Sequence, residues 1–332
     1  MAFWNLVHLI LGYARKLRRH SKACLTLVLI LIILYLIPTP RKHYNDPQMF
    51  DKFNNESGLD YAIIPNIVHY VIFNNQTIDF ITFLSMVSVI KFQKPELIMI
   101  HSNIGSLRGY YWDIVQSLLS VTNSSIEFHH TPIPTHVYGQ KLSSIYHASD
   151  VTRINVLIKH GGIYLDTDSI VLKNLNHFLH FEMVLGWPET EDMGSQILLA
   201  HKNARFLRLW LNGYRIYKPT IWYYNAGQYP TEQILEKRPD LVHRVKLKLG
   251  VHNILTKLHE DPSWDEWREF YSIHVLARHY PGTEEMNEVS MMTSQSPYAQ
   301  IYKYVLYETA PYFDIHNVVL KQNLHHWVFK KN

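Results

Sequence analysis

From residue 64 to residue 168 short apolar runs alternate with segments of helical spacing, and this alternation narrows the choice of fold more than any other feature of the chain. Residues 64–73 (IPNIVHYVIF) have the β-branched and aromatic content of a strand, opened by Pro65 and stopped by Asn74 and Asn75. Residues 78–92 carry apolar side chains at helical intervals, and residues 96–100 (ELIMI) read as a second buried strand after Pro95. Residues 109–119 read as a helix and 126–130 as a third strand. The segment 143–160 predicts a helix with Ile145, Ala148, Val151, Ile154, Leu157 and Ile158 along one face, an αL cap at Gly161, and then a strand over 162–166. The expectation is an α/β fold with a mainly parallel sheet flanked by helices. In the last 110 or so residues the pattern breaks into short elements whose order the sequence does not reveal.

Ahead of this domain lies residues 23–37 (ACLTLVLILIILYLI), uncharged and mostly aliphatic. As a helix it would extend about 23 Å, short for a typical span but suited to a thin bilayer of the early secretory pathway. Five of the 32 Lys and Arg residues (Arg15, Lys16, Arg18, Arg19 and Lys22) stand just before it with no acid among them. The other 27 nearly balance the 28 Asp and Glu, so the basic surplus is a local cluster and not a nucleic-acid-binding face. The positive-inside bias then predicts a cytosolic tail (1–22), an uncleaved transmembrane signal anchor (23–37), a polar stem (38–63) and a luminal domain (64–332). Pro38-Thr39-Pro40 offers no small-residue cleavage site of the kind a removed signal peptide would need. Three sequons, at Asn55, Asn75 and Asn123, agree with a luminal body and are candidate glycosylation sites. With one cysteine, Cys24, neither an internal disulfide nor a cysteine-based zinc site can form.

The chemistry concentrates in Ala148-Ser149-Asp150-Val151-Thr152-Arg153 and in Gly161-Gly162-Ile163-Tyr164-Leu165-Asp166-Thr167-Asp168. On a strand, Asp166 and Asp168 would project to the same side. Two carboxylates held a few ångströms apart repel, and a divalent cation relieves that; oxygen ligands favour Mg²⁺ or Mn²⁺ over zinc. Asp150 and Arg153, three apart, share a helix face. An acid for hydroxyls, a guanidinium for phosphate or sugar, and a metal site together suit a nucleotide diphosphate.

These two motifs resemble the sugar-binding Asp-x-Asp region of family 32 glycosyltransferases, and residues 161–175 (GGIYLDTDSIVLKNL) are especially similar to the family's alpha-1,4-galactosyl- and alpha-1,4-N-acetylglucosaminyltransferase members. Residues 64–69 (IPNIVH) resemble the family's opening strand, and 271–275 (YSIHV) the late segment that returns to the metal. The resemblance implies a GT-A-like fold, a nucleotide-sugar donor such as a UDP-sugar, and a retaining, Mn²⁺- or Mg²⁺-dependent transfer to a glycan or glycolipid acceptor. It implies that Asp168 ligates the metal directly, that Asp166 contacts ribose or the metal's water shell, and that His274 makes a late metal-side contact. It further implies that Asp150 holds donor-sugar hydroxyls, that Arg153 grips sugar or diphosphate, and that Tyr164 lines the uridine or sugar pocket. Ile72 and Phe73 fall at the donor-base side, where the family commonly has a stacking Trp; the late motif here, His274-Val275-Leu276, lacks the family's Trp. Gln196 stands in for an Asn at the sugar edge. A Golgi membrane location is implied, with the endoplasmic reticulum as the alternative.

Glu189, Glu191 and Asp192 form an acidic loop that is either solvated or close to the acceptor. Two other functions compete. A glycosyltransferase-like binding module without turnover would explain the altered positions at Ile72 and Leu276. A haloacid-dehalogenase-type phosphatase would use Asp166 as nucleophile and Asp168 as acid/base, but no downstream Lys and Asp pair accompanies them on a comparable frame.

Overall fold

Pro65 cannot donate to a sheet ladder, and the first strand starts two residues after it. In the computed structural model, residues 47–250, 254–280 and 286–308 are described, all within the unit Asp46–Asn332. In chain order the first half contains β1 (Ile67–Val71), α1 (Phe80–Ser88), β2 (Leu97–Ser102), α2 (Tyr110–Leu119), β3 (Ser125–His130), β4 (His136–Val137), β5 (Gln140–Lys141), α3 (Ile145–His160), β6 (Gly162–Leu165) and β7 (Ser169–Val171). Then follow β8 (Met183–Gly186), β9 (Ile197–Ala200), α4 (Arg205–Gly213), β10 (His243–Val245), α5 (Leu255–Glu260), β11 (Ser272–His274), α6 (Glu288–Thr293) and α7 (Pro297–Lys303).

Seven strands form the main sheet in the order β10-β8-β9-β6-β1-β2-β3. The pairs β1–β2, β2–β3, β1–β6 and β8–β10 are parallel, and β9 alone runs antiparallel to its neighbours β6 and β8. The mixed α/β fold with a mainly parallel sheet therefore agrees with the alternation in the sequence. Central strands buried on both faces explain why LIMI and VHYV read as nearly continuous apolar runs. One face of the sheet packs against α1, α2 and the C-terminal helices, the other against α3 and α4.

Two local expectations differ from the structure. Gly161 has φ +67° and ψ −171°, a glycine conformation with extended ψ and not an αL cap, so the chain leaves α3 straight into β6. The strand expected over 162–166 stops at Leu165, because Asp166–Ser169 turn, with Ser169 N–H donating to the Asp166 carbonyl at 2.9 Å.

Parallel register also gathers histidines. Val71 pairs with His101, which pairs with His129, so His69, His101 and His129 share the sheet face that meets His160 at the end of α3. Among the described residues no helix is long and apolar enough to cross a membrane, and residues 23–37 lie outside them.

Candidate functional site

The site begins with a helix that has no solvent side. All nine residues of α1 are buried, and two of its serines tie down β7: Ser85 Oγ donates to the Ser169 carbonyl at 2.6 Å, and Ser88 Oγ accepts from Val171 N–H at 2.9 Å. β11 pairs antiparallel with β7, and its register sets His274 opposite Ser169, beside Asp168. His274 Nε2 lies 3.0 Å from Asp168 Oδ1, while the backbone N–H of Ala277 donates to Asp168 Oδ2 at 3.1 Å. Asp166 and Asp168 thus converge through a turn and a tertiary pairing, where strand alternation had been expected to align them. The ligand atoms of Asp166, Asp168 and His274 all lie within 4.8 Å of one another.

Two carboxylates and an imidazole fit a divalent cation in kind and in spacing. Burial pushes the Asp168 carboxyl up, but His274 and the Ala277 N–H outweigh that and hold it down at about 2. Burial pushes His274 down, yet its carboxylate neighbours, Asp168 first, leave it raised overall. Protonating His274 and binding a cation are therefore alternative ways of satisfying the same acids.

Arg153 organises the other wall. Its Nη2 lies 3.1 Å from Oδ1 of both Asp150 and Asp166, and its Nη1 donates to the Ser195 carbonyl at 2.7 Å and to Ser195 Oγ at 3.2 Å. Its guanidinium lies 4.7 Å from the centre of the Tyr164 ring, and the Tyr164 hydroxyl donates to Asp166 Oδ1 at 2.6 Å. Burial would depress the guanidinium, but Asp166, Tyr164 and Asp150 more than offset it, so Arg153 stays cationic. Burial raises the Asp150 carboxyl despite Arg153. Most of the Arg153 donors are engaged by protein groups, Asp150 and Asp166 among them, and the residue lines the cleft.

These residues line a cleft of about 960 Å³. Ile72, Phe73 and Asn75 line it from the loop after β1, and Ile72 and Phe73 are themselves buried. Gln196 lines it as well, and its carbonyl accepts from Asp166 N–H at 2.9 Å. Tyr146, Trp222 and Arg278 also face the cleft, and reasoning from sequence missed all three. The only signal was position: Arg278 follows His274 by four residues, and Trp222 sits in a stretch with no periodicity. Asp192 and Glu191 line a separate depression with Trp187 and Arg244, away from the two site aspartates.

The sequons divide. Asn75 and Asn123 are exposed, Asn75 at the cleft. Asn55 is 3% exposed, and its Nδ2 donates to Glu182 Oε2 at 3.1 Å and to the Asp240 carbonyl at 2.9 Å. The fold leaves no room for a glycan there, which corrects the expectation from the sequon.

Residues 66–185 match the family described as a glycosyltransferase sugar-binding region containing the DXD motif. The chain is 26% identical over 203 residues to glucan organizing enzyme 1 of Cryptococcus neoformans var. grubii, covering 53% of each protein. It is 32% identical over 132 residues to lactosylceramide 4-alpha-galactosyltransferase of Mus musculus, covering 37% of this chain and 34% of that one. The chain thus spans about half the length of the first relative and about a third of the second. A galactosyltransferase solved with donor and acceptor sugar analogues overlays with a TM-score of 0.41 at 12% identity, covering 74% of this chain and 98% of that one. The matched stretch, residues 66–185, runs from just before β1 into β8 and contains the Asp166–Asp168 turn, so the likeness to a DXD-containing glycosyltransferase sugar-binding region falls on the residues that build this site.

Proposed function

We propose that the protein is a single-pass type II membrane glycosyltransferase with a GT-A-like domain, moving a sugar from a nucleotide-sugar donor, a UDP-sugar by preference, to a glycan or glycolipid acceptor. The observation that carries this reading is the convergence of Asp166, Asp168 and His274 on one large cleft. Asp168 and His274 would hold a divalent cation, Mn²⁺ or Mg²⁺, and Asp166 would complete the set or contact ribose. When bound, the cation supplies positive charge at the leaving diphosphate. Asp150 faces the same cleft and is placed to accept from donor-sugar hydroxyls, and Arg153 holds Asp150 and Asp166 in position. Ile72, Phe73 and Tyr164 border the donor side. Retention of configuration is part of the proposal, and it rests on the family resemblance.

In this reading residues 1–22 form the cytosolic tail, 23–37 the anchor, 38–63 the stem and 64–332 the luminal catalytic domain, in the Golgi membrane. The run of apolar residues behind a basic cluster supports that topology. A binding module without turnover has less to recommend it, since three ligating groups, two of them acids, are kept at close range where an ion would repay their repulsion.

The test uses the full chain in detergent with a panel of uridine and guanosine sugars, with and without Mn²⁺ or Mg²⁺. One donor should raise the melting temperature and be hydrolysed only with metal. Asp166→Asn/Asp168→Asn should lose the shift and about 1,000-fold of the hydrolysis. A folded protein that responds to no donor sinks the enzyme reading.

A further inference from the structure

Beside the cleft mouth the fold builds a ledge that the catalytic reading leaves unused. It comprises the β4–β5 hairpin, the first turn of α3 and the loop 214–222. We propose that this ledge docks on a phospholipid bilayer surface, its cations on lipid phosphate, and so holds the cleft against the membrane.

Its scaffold is rigid. Ser143 Oγ lies 2.9 Å from the Tyr217 hydroxyl and donates to the Pro219 carbonyl at 2.9 Å, and His147 Nδ1 lies 2.6 Å from the same hydroxyl. Asn225 pins the loop from beneath: its Oδ1 accepts from Lys218 N–H at 2.9 Å and its Nδ2 donates to the Ile216 carbonyl at 3.2 Å. The loop is held by its backbone and by Tyr217, while Ile216 (57% exposed), Ile221 (44%) and Trp222 (46%) remain in solvent. Tyr146 is also exposed and packs edge-on against Trp222 at 5.2 Å. At the hairpin tip Tyr138 takes φ +47°, followed by Gly139 at φ +79°. Asn or Gly is the usual residue at the first of these positions, yet the chain places an exposed aromatic ring there.

Charge supplies the identity of the partner. Residues 128–149 and 201–228 contain no Asp or Glu. Lys141 and Arg215 are exposed on the ledge, Arg215 lies 4.3 Å from the Tyr138 ring centre, Lys218 lies 3.7 Å from that of Tyr224, and Arg278 lies 4.0 Å from that of Tyr146. Exposed isoleucines between aromatic rings, with Lys141, Arg215 and Lys218 from acid-free stretches, match the interfacial layer of a bilayer, where rings sit at headgroup depth and cations meet lipid phosphate. A sugar stacked on Trp222 would have no use for Ile216 and Ile221. Tyr146 and Trp222 belong to both the ledge and the cleft, and Arg278 borders both, so docking would bring the cleft to the headgroups. Delivery of a lipid-borne acceptor rests on the transferase reading; the docking does not.

The test places the full chain, in a Cys24→Ala background, in nanodiscs containing brominated lipid. A single fluorophore is attached at Ile216→Cys or Ile221→Cys, with Gln116→Cys on the exposed side of α2 as reference. Phosphatidylcholine discs are compared with discs containing phosphatidylserine. Both ledge labels should be quenched in the anionic discs and recover at high salt, while the reference stays bright. Arg215→Gln/Lys218→Gln should lower the ratio of docked to undocked protein about 25-fold, about five-fold per cation. The proposal is overturned if the ledge labels quench no more than the reference, or if the double variant quenches like the parent. Neither readout needs a sugar donor, so the docking and the transferase reading fail separately.

Discussion

Two groups of histidines sit close to the same strands and behave in opposite ways. At one end of the sheet His69, His101, His129 and His160 pack ring against ring, with centroids 5.2–6.1 Å apart. Burial first, and neighbouring imidazoles after it, push His101 down to about 3; His69, with a Gly161 carbonyl contact opposing, falls to about 4. His69 and His101 are neutral hydrogen-bonding parts of the core: His69 Nδ1 lies 3.1 Å from His101 Nε2, and His69 Nε2 lies 2.7 Å from the Gly161 carbonyl. Near the DXD turn His274 is equally buried, but its neighbours are carboxylates and its pKa is raised. The residue type does not decide the role. Imidazoles among imidazoles support the fold, and an imidazole among acids is placed to share a cation with them.

The largest effect that would break this contrast is at His274. His274→Ala should raise the metal concentration needed for donor-dependent stabilisation about 100-fold. A calorimetric metal titration checks it, and an unchanged midpoint would place His274 with the structural group.

Gly162→Ala comes next. An added Cβ would lie 2.6 Å from the Ile67 carbonyl oxygen and 2.8 Å from His69 Nε2, at a φ of +111°. We expect a loss of about 2–3 kcal/mol in denaturant unfolding, with metal response intact once the protein is folded.

Acid separates the two groups by sign. For His69 and His101 the folded pKa lies below the unfolded value of 6.5, so the unfolded chain takes up protons first. Stability falls as pH drops through 6.5 and keeps falling to near 4 and 3, by roughly 2 kcal/mol per histidine between pH 7 and 5. The raised pKa of His274 acts the other way, adding stability below 6.5 that is lost as pH rises through its folded value. The depressed Asp168 adds stability above the ordinary carboxylate range and loses it only as pH falls through about 2. His101→Gln should therefore flatten the slope of unfolding free energy against pH between 7 and 5, while His274→Gln should steepen it.

The smallest effect is at the rim. His129 is partly exposed, 3.3 Å from Glu127 Oε2, and His129→Gln should change stability by under about 0.5 kcal/mol. A loss several times larger would mean that all four rings act as one cooperative unit.

How much of this was legible beforehand depends on the range of the interaction. β1, α1, β2, α2, β3, α3 and β6 follow from local periodicity and from Pro, Gly and Asn punctuation, with observed ends within a few residues of the expected ones, while the short β4–β5 hairpin carried no such signal. The ion pair of Asp150 with Arg153 follows from helix spacing. Asp166 and Asp168 were legible as residues, although the turn that joins them was not, because it depends on α1 anchoring β7 through Ser85 and Ser88. The burial of Asn55 was equally hidden, since its partners Glu182 and Asp240 lie more than a hundred residues away.

By itself, then, the sequence determined the alternation of strands and helices, the basic–apolar N-terminal pattern, and the acids and arginine around which the site forms, because each is a matter of spacing along one element. Only the tertiary structure decided that His274 among 21 histidines would stand beside Asp168, that Arg153 would support Asp166 from within the protein, and that Tyr146, Trp222 and Arg278 would share the cleft mouth. Arg153 meets Asp166 across the reversal from α3 into β6, and the other pairings join segments far apart in the chain; such contacts are selected by packing and register, which no local pattern encodes.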